Sequence, residues 1–138
     1  MSAEDEAVVR RFYEEMNNGR KNDLAGQLFT ADHQMHDPQV PTPDGPDGMA
    51  AAVVVYQTGV NGHWGIDDIF SCDDKVVVRW TGTGEHVGDV NGIAPTGREI
   101  EVSAICIHRM RDGKIAETWE VWDTLGFLRQ LGVVPTTS

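Results

Sequence analysis

The sequence predicts an α+β fold in which helices are segregated from a consecutive run of antiparallel strands. Three observations carry this. Helical periodicity is confined to the first half of the chain and to one short segment near its end. From Gly65 onward the pattern switches to period two. Between two long alternating stretches lies Asp112-Gly113, a dipeptide that tolerates the positive φ angles of a two-residue hairpin turn. A strongly curved antiparallel sheet wrapped around helices would form a cone with an internal pocket. One sheet face would line the pocket, and the other would be free to pack on a second subunit.

The elements follow in order. Ala3 to Asn18 reads as an amphipathic helix, with Val8, Val9, Phe12, Tyr13 and Met16 at helical spacing and Glu4, Glu6, Glu14 and Glu15 on the wet side. Ser2 is a candidate cap, and Asn17-Asn18-Gly19 ends the helix. Asn22 or Asp23 starts a short helix through Phe29 that buries Leu24, Leu28 and Phe29. Gln34 to Asp37 reads as a short strand closed by Pro38. Pro38 to Gly48 holds four prolines and two glycines in eleven residues, a loop of the kind that often carries function. Met49 to about Thr58 is apolar nearly all round and reads as a buried helix. Asn61 to Gly65 is a loop or strand entry. Strands follow from Gly65 to Phe70 and from Lys75 to Glu85, with Asp73-Asp74 as the turn. Gly88 to Gly97 is a loop. Then comes the central hairpin, a short helix from Thr124 to Gly132 and a tail. The whole is one domain over 1–138, with a folded core to 132 and a tail over 133–138.

Composition bounds the function. The 138 residues suffice for one sizeable core. Eleven Lys and Arg stand against 22 Asp and Glu, a formal net charge of −11 with no basic cluster, so nucleic acid is not an expected partner. No apolar run reaches bilayer length, and the acidic opening MSAEDEAVVR does not read as a secretory signal. A cytoplasmic protein without membrane partners is expected. Cys72 and Cys106 show no metal spacing and read as buried or half-buried thiols. His33 and His36 lie three apart on an extended segment and so face opposite ways, and no set of metal ligands stands out. Neither metal nor cofactor is expected.

The chemistry is expected on the hairpin, Ile100 to Leu131. With Asp112-Gly113 as the loop, Met110 meets Ile115, His108 meets Glu117, Cys106 meets Trp119 and Ala104 meets Val121. These side chains share one face, and Asp123 continues the parity. Apolar bulk with three ionisable groups, His108, Glu117 and Asp123, makes a pocket floor. The opposite face, with Ile105, Ile107, Thr118 and Trp122, is apolar enough to predict a homodimer.

The segment GIAPTGREIEVSAICIHRMRDGKIAETWEVWDTLGFLRQLG resembles the SnoaL-like polyketide cyclase family of the nuclear transport factor 2-like superfold. The resemblance rests on the strand end His36-Asp37-Pro38, the strand entry Pro95-Thr96-Gly97 and I-x-E-x-W-x-x-x-D from Ile115 to Asp123, and the order of elements matches over nearly all the chain. It implies a cone-shaped α+β barrel, usually a homodimer. It also implies a cofactor-free acid/base enzyme that closes a polyketide ring by intramolecular aldol condensation, with the family aspartate falling on Asp123.

Two readings of each site residue stand side by side. Asp123 is the acid/base in an apolar setting that raises its pKa, or the cap of the helix beginning at Thr124. His108 relays protons with Glu117 orienting it, or the two are a cross-strand polar pair. His36 lines the pocket, or bonds a loop carbonyl. Trp119, Cys106 and Trp64 are candidate substrate contacts, with His86 at the pocket mouth. Trp122 is assigned to the dimer face, and Arg79 to an ion pair. The substrate class is a hydrophobic carbonyl compound. The alternatives are a binding module without chemistry, or a cofactor-free hydroxylase, isomerase or hydrolase of the same fold.

Overall fold

The structure, a computed structural model, describes residues 2–133, Ser2 by its backbone alone. The expected tail beyond Val133 and the capping hydroxyl of Ser2 lie outside the described residues. Helix α1 (Ser2–Arg11) continues without a break as a π-helical segment, Phe12–Asn18. A 3-10 turn (Asn22–Leu24) and a short α2 (Ala25–Leu28) lead into β1 (Phe29–His36). Then follow α3 (Gly45–Gly59), β2 (His63–Cys72), β3 (Lys75–Glu85), β4 (Glu99–Arg111), β5 (Lys114–Trp122) and α4 (Thr124–Leu131). None of the described helices is long and apolar enough to cross a membrane.

The five strands form one curved sheet in the order β1-β5-β4-β3-β2, with two free edges, so the cone is not a closed barrel. All neighbours are antiparallel except β1 and β5, which run parallel. That corrects the expectation of a wholly antiparallel sheet. β1 reaches β5 through the rest of the chain, so no tight turn dictates their relative direction.

Local sequence explains most of the elements. Within Phe12–Asn18 the wider π turn buries Phe12, Tyr13, Met16 and Asn17 together. Asn18 then docks the helix end on β2: its Nδ2 donates to the Trp64 carbonyl at 2.8 Å, and the Trp64 N–H donates back to its Oδ1 at 2.7 Å. β1 is longer than the expected Gln34–Asp37 and starts at Phe29, where the short helix was expected to end. His33 is fully buried and His36 exposed, the opposite facing expected of an extended segment. α3 begins four residues before Met49, because Pro46 suits a first turn that needs no N–H. It is amphipathic rather than buried all round, with Val54 exposed.

The hairpin turn forms as expected, with φ of 52° at Asp112 and 77° at Gly113. Arg111 pairs with Lys114 and Met110 with Ile115, but the register then slips by one: Arg109 pairs with Glu117, His108 with Thr118, Cys106 with Glu120 and Ala104 with Trp122. Ala116 is the extra residue of a β-bulge, which leaves both Ile115 and Ala116 buried. A one-residue slip exchanges the faces of a strand. Beyond the bulge Thr118, Glu120 and Trp122 point into the cone, while Glu117, Trp119 and Val121 point out. The β4 half of the expected floor holds, with Ala104, Cys106, His108 and Met110 buried. The β5 half is inverted.

Candidate active site

The cone encloses a cavity of about 280 Å³. Its walls are Trp80, Gly82 and Val102 from the sheet, Phe12 and Asn17 from the π-helical segment, and Met49, Val53 and Tyr56 from α3. Val40 to Pro43 of the proline-rich loop and Phe127 of α4 complete the lining. Gly82 is required there: a Cβ would come within 2.8 Å of the Trp80 ring, so glycine leaves room for both the indole and the void. Trp122 packs edge-on against Tyr56 and Phe127, with ring centroids 5.7 and 5.4 Å apart, giving the cavity an aromatic end.

Two carboxyl groups enter this apolar space, Glu120 from β5 and Asp37 from just after β1. Asp37 is held by three N–H donors: Trp122 Nε1 to Oδ2 at 3.2 Å, and the backbone of Gln39 and Val40 to Oδ1 at 2.9 and 3.0 Å. Its oxygens therefore act as acceptors, and a proton shared by the pair belongs on Glu120. Burial, followed by the charge and hydrogen bond of Asp37, pushes Glu120 up to about 7, against a bond from Cys106 that lowers it. Cys106 Sγ donates to Glu120 Oε1 at 3.3 Å and accepts from Trp80 Nε1 at 3.4 Å. Burial holds the Cys106 thiol well above its ordinary value, so it serves as a donor and not as a nucleophile. The Tyr56 phenol, also raised by burial, is bonded by Asn91 Nδ2 at 3.4 Å and feels the charges of Glu120 and Asp37. A carboxyl that titrates near neutrality beside an apolar void can both remove and return a proton at one site.

Several residues expected at the site lie elsewhere. Asp123 is the N-cap of α4, its Oδ1 accepting the Gly126 N–H at 2.9 Å, and it is not among the residues that line the cavity. Its capping reading is the one the geometry realises. His36 and Glu117 sit on the outer face, 2.7 Å apart, with Arg109 Nε donating to Glu117 at 3.0 Å. The hydrogen bond from His36, with the hydrogen bond and charge of Arg109, holds the Glu117 carboxyl below its usual range. Trp119 is also outside, stacked on His36 at 5.4 Å. His108 points inward as expected but is fully buried beneath the cavity and bonded to Tyr13 and Thr118 instead of Glu117. His86 is fully buried against Thr96, away from the cavity lining. Trp64 lines the cavity as expected. Cys106 faces inward and reaches the site through Glu120. Trp122, assigned to the dimer face, is inside, and so is Thr118. Arg79 forms its expected ion pair, 2.6 Å from Asp68. Cys72 is exposed where a buried or half-buried thiol was expected. Among the described residues no three His, Cys, Asp or Glu groups are arranged to hold a metal ion.

Glu120 and Asp37, the centre of the site, were not among the expected residues. The signal that locates Glu120 is Ile115-Ala116, two adjacent apolar residues in an otherwise alternating strand, which marks a bulge and reverses the parity beyond it. In the sequence Asp37 stands out only as part of the strand-end motif His36-Asp37-Pro38.

An α+β cone closed by helices around an apolar cavity, with one near-neutral carboxyl inside, is a small-molecule site of the kind an acid/base enzyme uses. The chain belongs to the SnoaL-like polyketide cyclase family, whose model matches residues 7–131. It is 31% identical over 131 residues to the aklanonic acid methyl ester cyclase DauD of Streptomyces sp. (strain C5), covering 91% of this chain and 80% of that one. The aklanonic acid methyl ester cyclase DnrD of Streptomyces peucetius is 30% identical over 131 residues, covering 91% and 88%. Among solved structures, TsrD from Streptomyces laurentii superposes with a TM-score of 0.84 at 29% identity, over 96% of this chain and 97% of that one. The fold is the nuclear transport factor 2-like cone expected from the sequence.

Proposed function

We propose that the protein is a polyketide cyclase that closes a ring by intramolecular aldol condensation, with Glu120 as the single acid/base. The observation that carries this is the Glu120 carboxyl, brought to about 7 inside an apolar cavity. Near neutral pH both of its forms are populated. The carboxylate takes a proton α to a substrate carbonyl. The enolate carbon then attacks a second carbonyl within the same molecule. The Glu120 carboxyl returns the proton to the alkoxide, so the enzyme ends as it began. Asp37 keeps the returning proton on Glu120, and the Tyr56 phenol is placed to donate to a substrate oxygen.

The lining also supports a substrate class. Among the described residues no Lys or Arg lines the cavity, and its charged groups are the two carboxyls. A free acid would be repelled there, whereas an ester would be accepted. A methyl ester, as in the aklanonic acid methyl ester named for the cyclases DauD and DnrD, fits this charge balance, and an aromatic polyketide methyl ester would also fit the aromatic end formed by Tyr56, Trp122 and Phe127.

We also propose a homodimer through the outer face. Phe70, Val77, Ile107 and Trp119 lie in one row across four strands, flanked by Ile105 and Val121. Ile105 and Val121 are 53% and 61% exposed in the single chain.

The test of the chemistry is Glu120→Gln assayed on an aromatic polyketide methyl ester. The amide keeps the shape and cannot exchange the proton, so turnover falls by about 10²–10⁴-fold while binding of the ester changes little. Turnover equal to that of the wild type would remove Glu120 as the acid/base, whereas binding of the ester with no turnover by the wild type itself would favour the binding-module reading.

A further inference from the structure

A chain of buried polar side chains runs from the edge strand β1 along the inner face of the sheet to Glu120, more than the aldol step itself requires. His33 Nε2 lies 2.9 Å from Thr118 Oγ1, and the same oxygen lies 2.9 Å from His108 Nδ1. His108 Nε2 lies 2.8 Å from the Tyr13 hydroxyl. Tyr13 and Cys106 are electrostatically interacting neighbours in the buried interior, and Cys106 Sγ donates to Glu120. His33, His108 and Thr118 are each at most 1% exposed, so no bulk water intervenes.

Such a chain has two directions that use the Thr118 hydroxyl proton within it, because each hydroxyl donates once and a neutral imidazole carries one N–H. In one direction Tyr13 donates to His108, His108 donates to Thr118, and Thr118 donates to His33. His33 then carries its proton on Nδ1, an atom that is buried without a partner among the described residues. In the other direction His33 Nε2–H donates to Thr118, Thr118 to His108 Nδ1, His108 Nε2–H to Tyr13, Tyr13 to Cys106 and Cys106 to Glu120. His33 Nδ1 is then a bare lone pair. Two arguments choose the second direction. An orphaned buried N–H is the rarer and costlier fault. The second direction also aligns every donor toward a carboxylate that needs stabilising, and aligned hydrogen bonds polarise one another.

We propose that His33, Thr118, His108, Tyr13 and Cys106 form one directional hydrogen-bond chain whose donors all point at Glu120, and that they are positioning residues for its carboxyl. The functional meaning rests on Glu120 as the acid/base, but the direction of the chain is a property of the resting protein. Burial keeps both imidazoles neutral, His33 lowered to about 4 and His108 to about 3, so neither interrupts the chain with a second proton near pH 7. The chain offsets part of what burial and Asp37 do to Glu120. The titratable groups facing that carboxyl are Asp37 beyond β1, Cys106 on β4, Tyr13 on the π-helical segment and Tyr56 on α3. Of these, Cys106 and Tyr13 belong to the chain.

The experiment needs no substrate. Long-range 1H–15N correlation on the intact protein at pH 7 reads the tautomer of each imidazole. Both His33 and His108 are expected with the proton on Nε2. A proton on Nδ1 of His108 would mean that the chain points away from Glu120 and would overturn the proposal. The second measurement is a 13C titration of the Glu120 carboxyl, assigned with Glu120→Gln. Thr118→Val keeps the shape and cuts the chain, so the Glu120 midpoint rises by about half to one pH unit, and Thr118→Ser returns it. An unchanged midpoint in a folded Thr118→Val would refute the coupling. If that variant does not fold, the tautomers of the wild type decide alone. Failure of the turnover assay with the chain intact would touch the proposed function and leave this inference standing.

Discussion

Replacing Glu120 by Gln should make the protein more stable, by an amount that grows between about pH 4.5 and pH 7. A Glu held at about 7 in the folded chain, against an ordinary 4.5, stays protonated in the native state while the unfolded chain has already released its proton. Between those two values the unfolded state binds fewer protons than the native state, so stability falls as pH rises. The difference of about 2.5 pH units, at about 1.4 kcal/mol each, removes about 3 kcal/mol of stability, none of it below pH 4.5 and all of it above pH 7. Gln carries no charge at any pH and presents an NH2 to Asp37 where the protonated carboxyl presents O–H. Glu120→Gln should therefore match the wild type near pH 5 and exceed it by about 3 kcal/mol at pH 8.5. For a chain of this length that is roughly 10 °C in melting temperature.

The acid side has the opposite sign and a different source. His33 and His108, lowered to about 4 and about 3, must stay neutral in the fold, while the unfolded chain protonates them near 6.5. Stability from these two groups is complete above pH 6.5 and falls as pH drops toward their folded values. Between about pH 4.5 and 6.5 the two effects oppose each other, so the wild type should gain stability with pH more slowly than the mutant, and both curves should flatten above about pH 7. Urea unfolding at intervals from pH 5 to 8.5 measures both slopes. Parallel curves for mutant and wild type across that range would show that Glu120 ionises near its ordinary value, and the acid/base assignment would lose its physical basis.

Two further outcomes follow from the same geometry. Asp123→Asn should leave turnover and stability nearly unchanged, since Asn caps a helix about as well as Asp, whereas Asp123→Ala should cost about 1 kcal/mol with turnover intact; a large loss of turnover in Asp123→Asn would restore it to the chemistry. On the outer face, Val121→Asp should convert a sedimenting dimer into a monomer without altering the Glu120 midpoint, and a wild type that sediments as a monomer at micromolar concentration would end the dimer proposal.

Most of the fold was legible because its signals are local. The Asp112-Gly113 turn, the alternation along β3 and β4, and the helical spacing of Val9, Phe12, Tyr13 and Met16 each depend on a few neighbouring residues. The parallel pairing of β1 with β5 depends on segments some eighty residues apart, and no local pattern encodes it. The site was half legible for the same reason. Counting outward from the turn gives β4 correctly, because the extra residue of the bulge lies on β5. It fails on β5 after two pairs, because the count assumes equal numbers of residues on both strands.

The bulge at Ala116 is also what turns the hairpin into a site. Without it, Glu117, Trp119 and Val121 would face the cavity, and Thr118, Glu120 and Trp122 the outside. Glu117 would then enter an apolar space without Arg109, which approaches it from the outer face at 3.0 Å. Trp122 would lose Asp37, and Thr118 could not stand between His33 and His108. One extra residue thus places Glu120 against Cys106 and Asp37, supplies the Trp122 N–H that fixes Asp37, and inserts the hydroxyl that joins two buried imidazoles. Ala is suited to that position because its methyl is small enough to be buried beside Ile115 on the inner side of the sheet. Each contact made into the cone from β5 therefore depends on the same local irregularity, and a sequence that kept every site residue but deleted Ala116 would present Thr118, Glu120 and Trp122 to the wrong face.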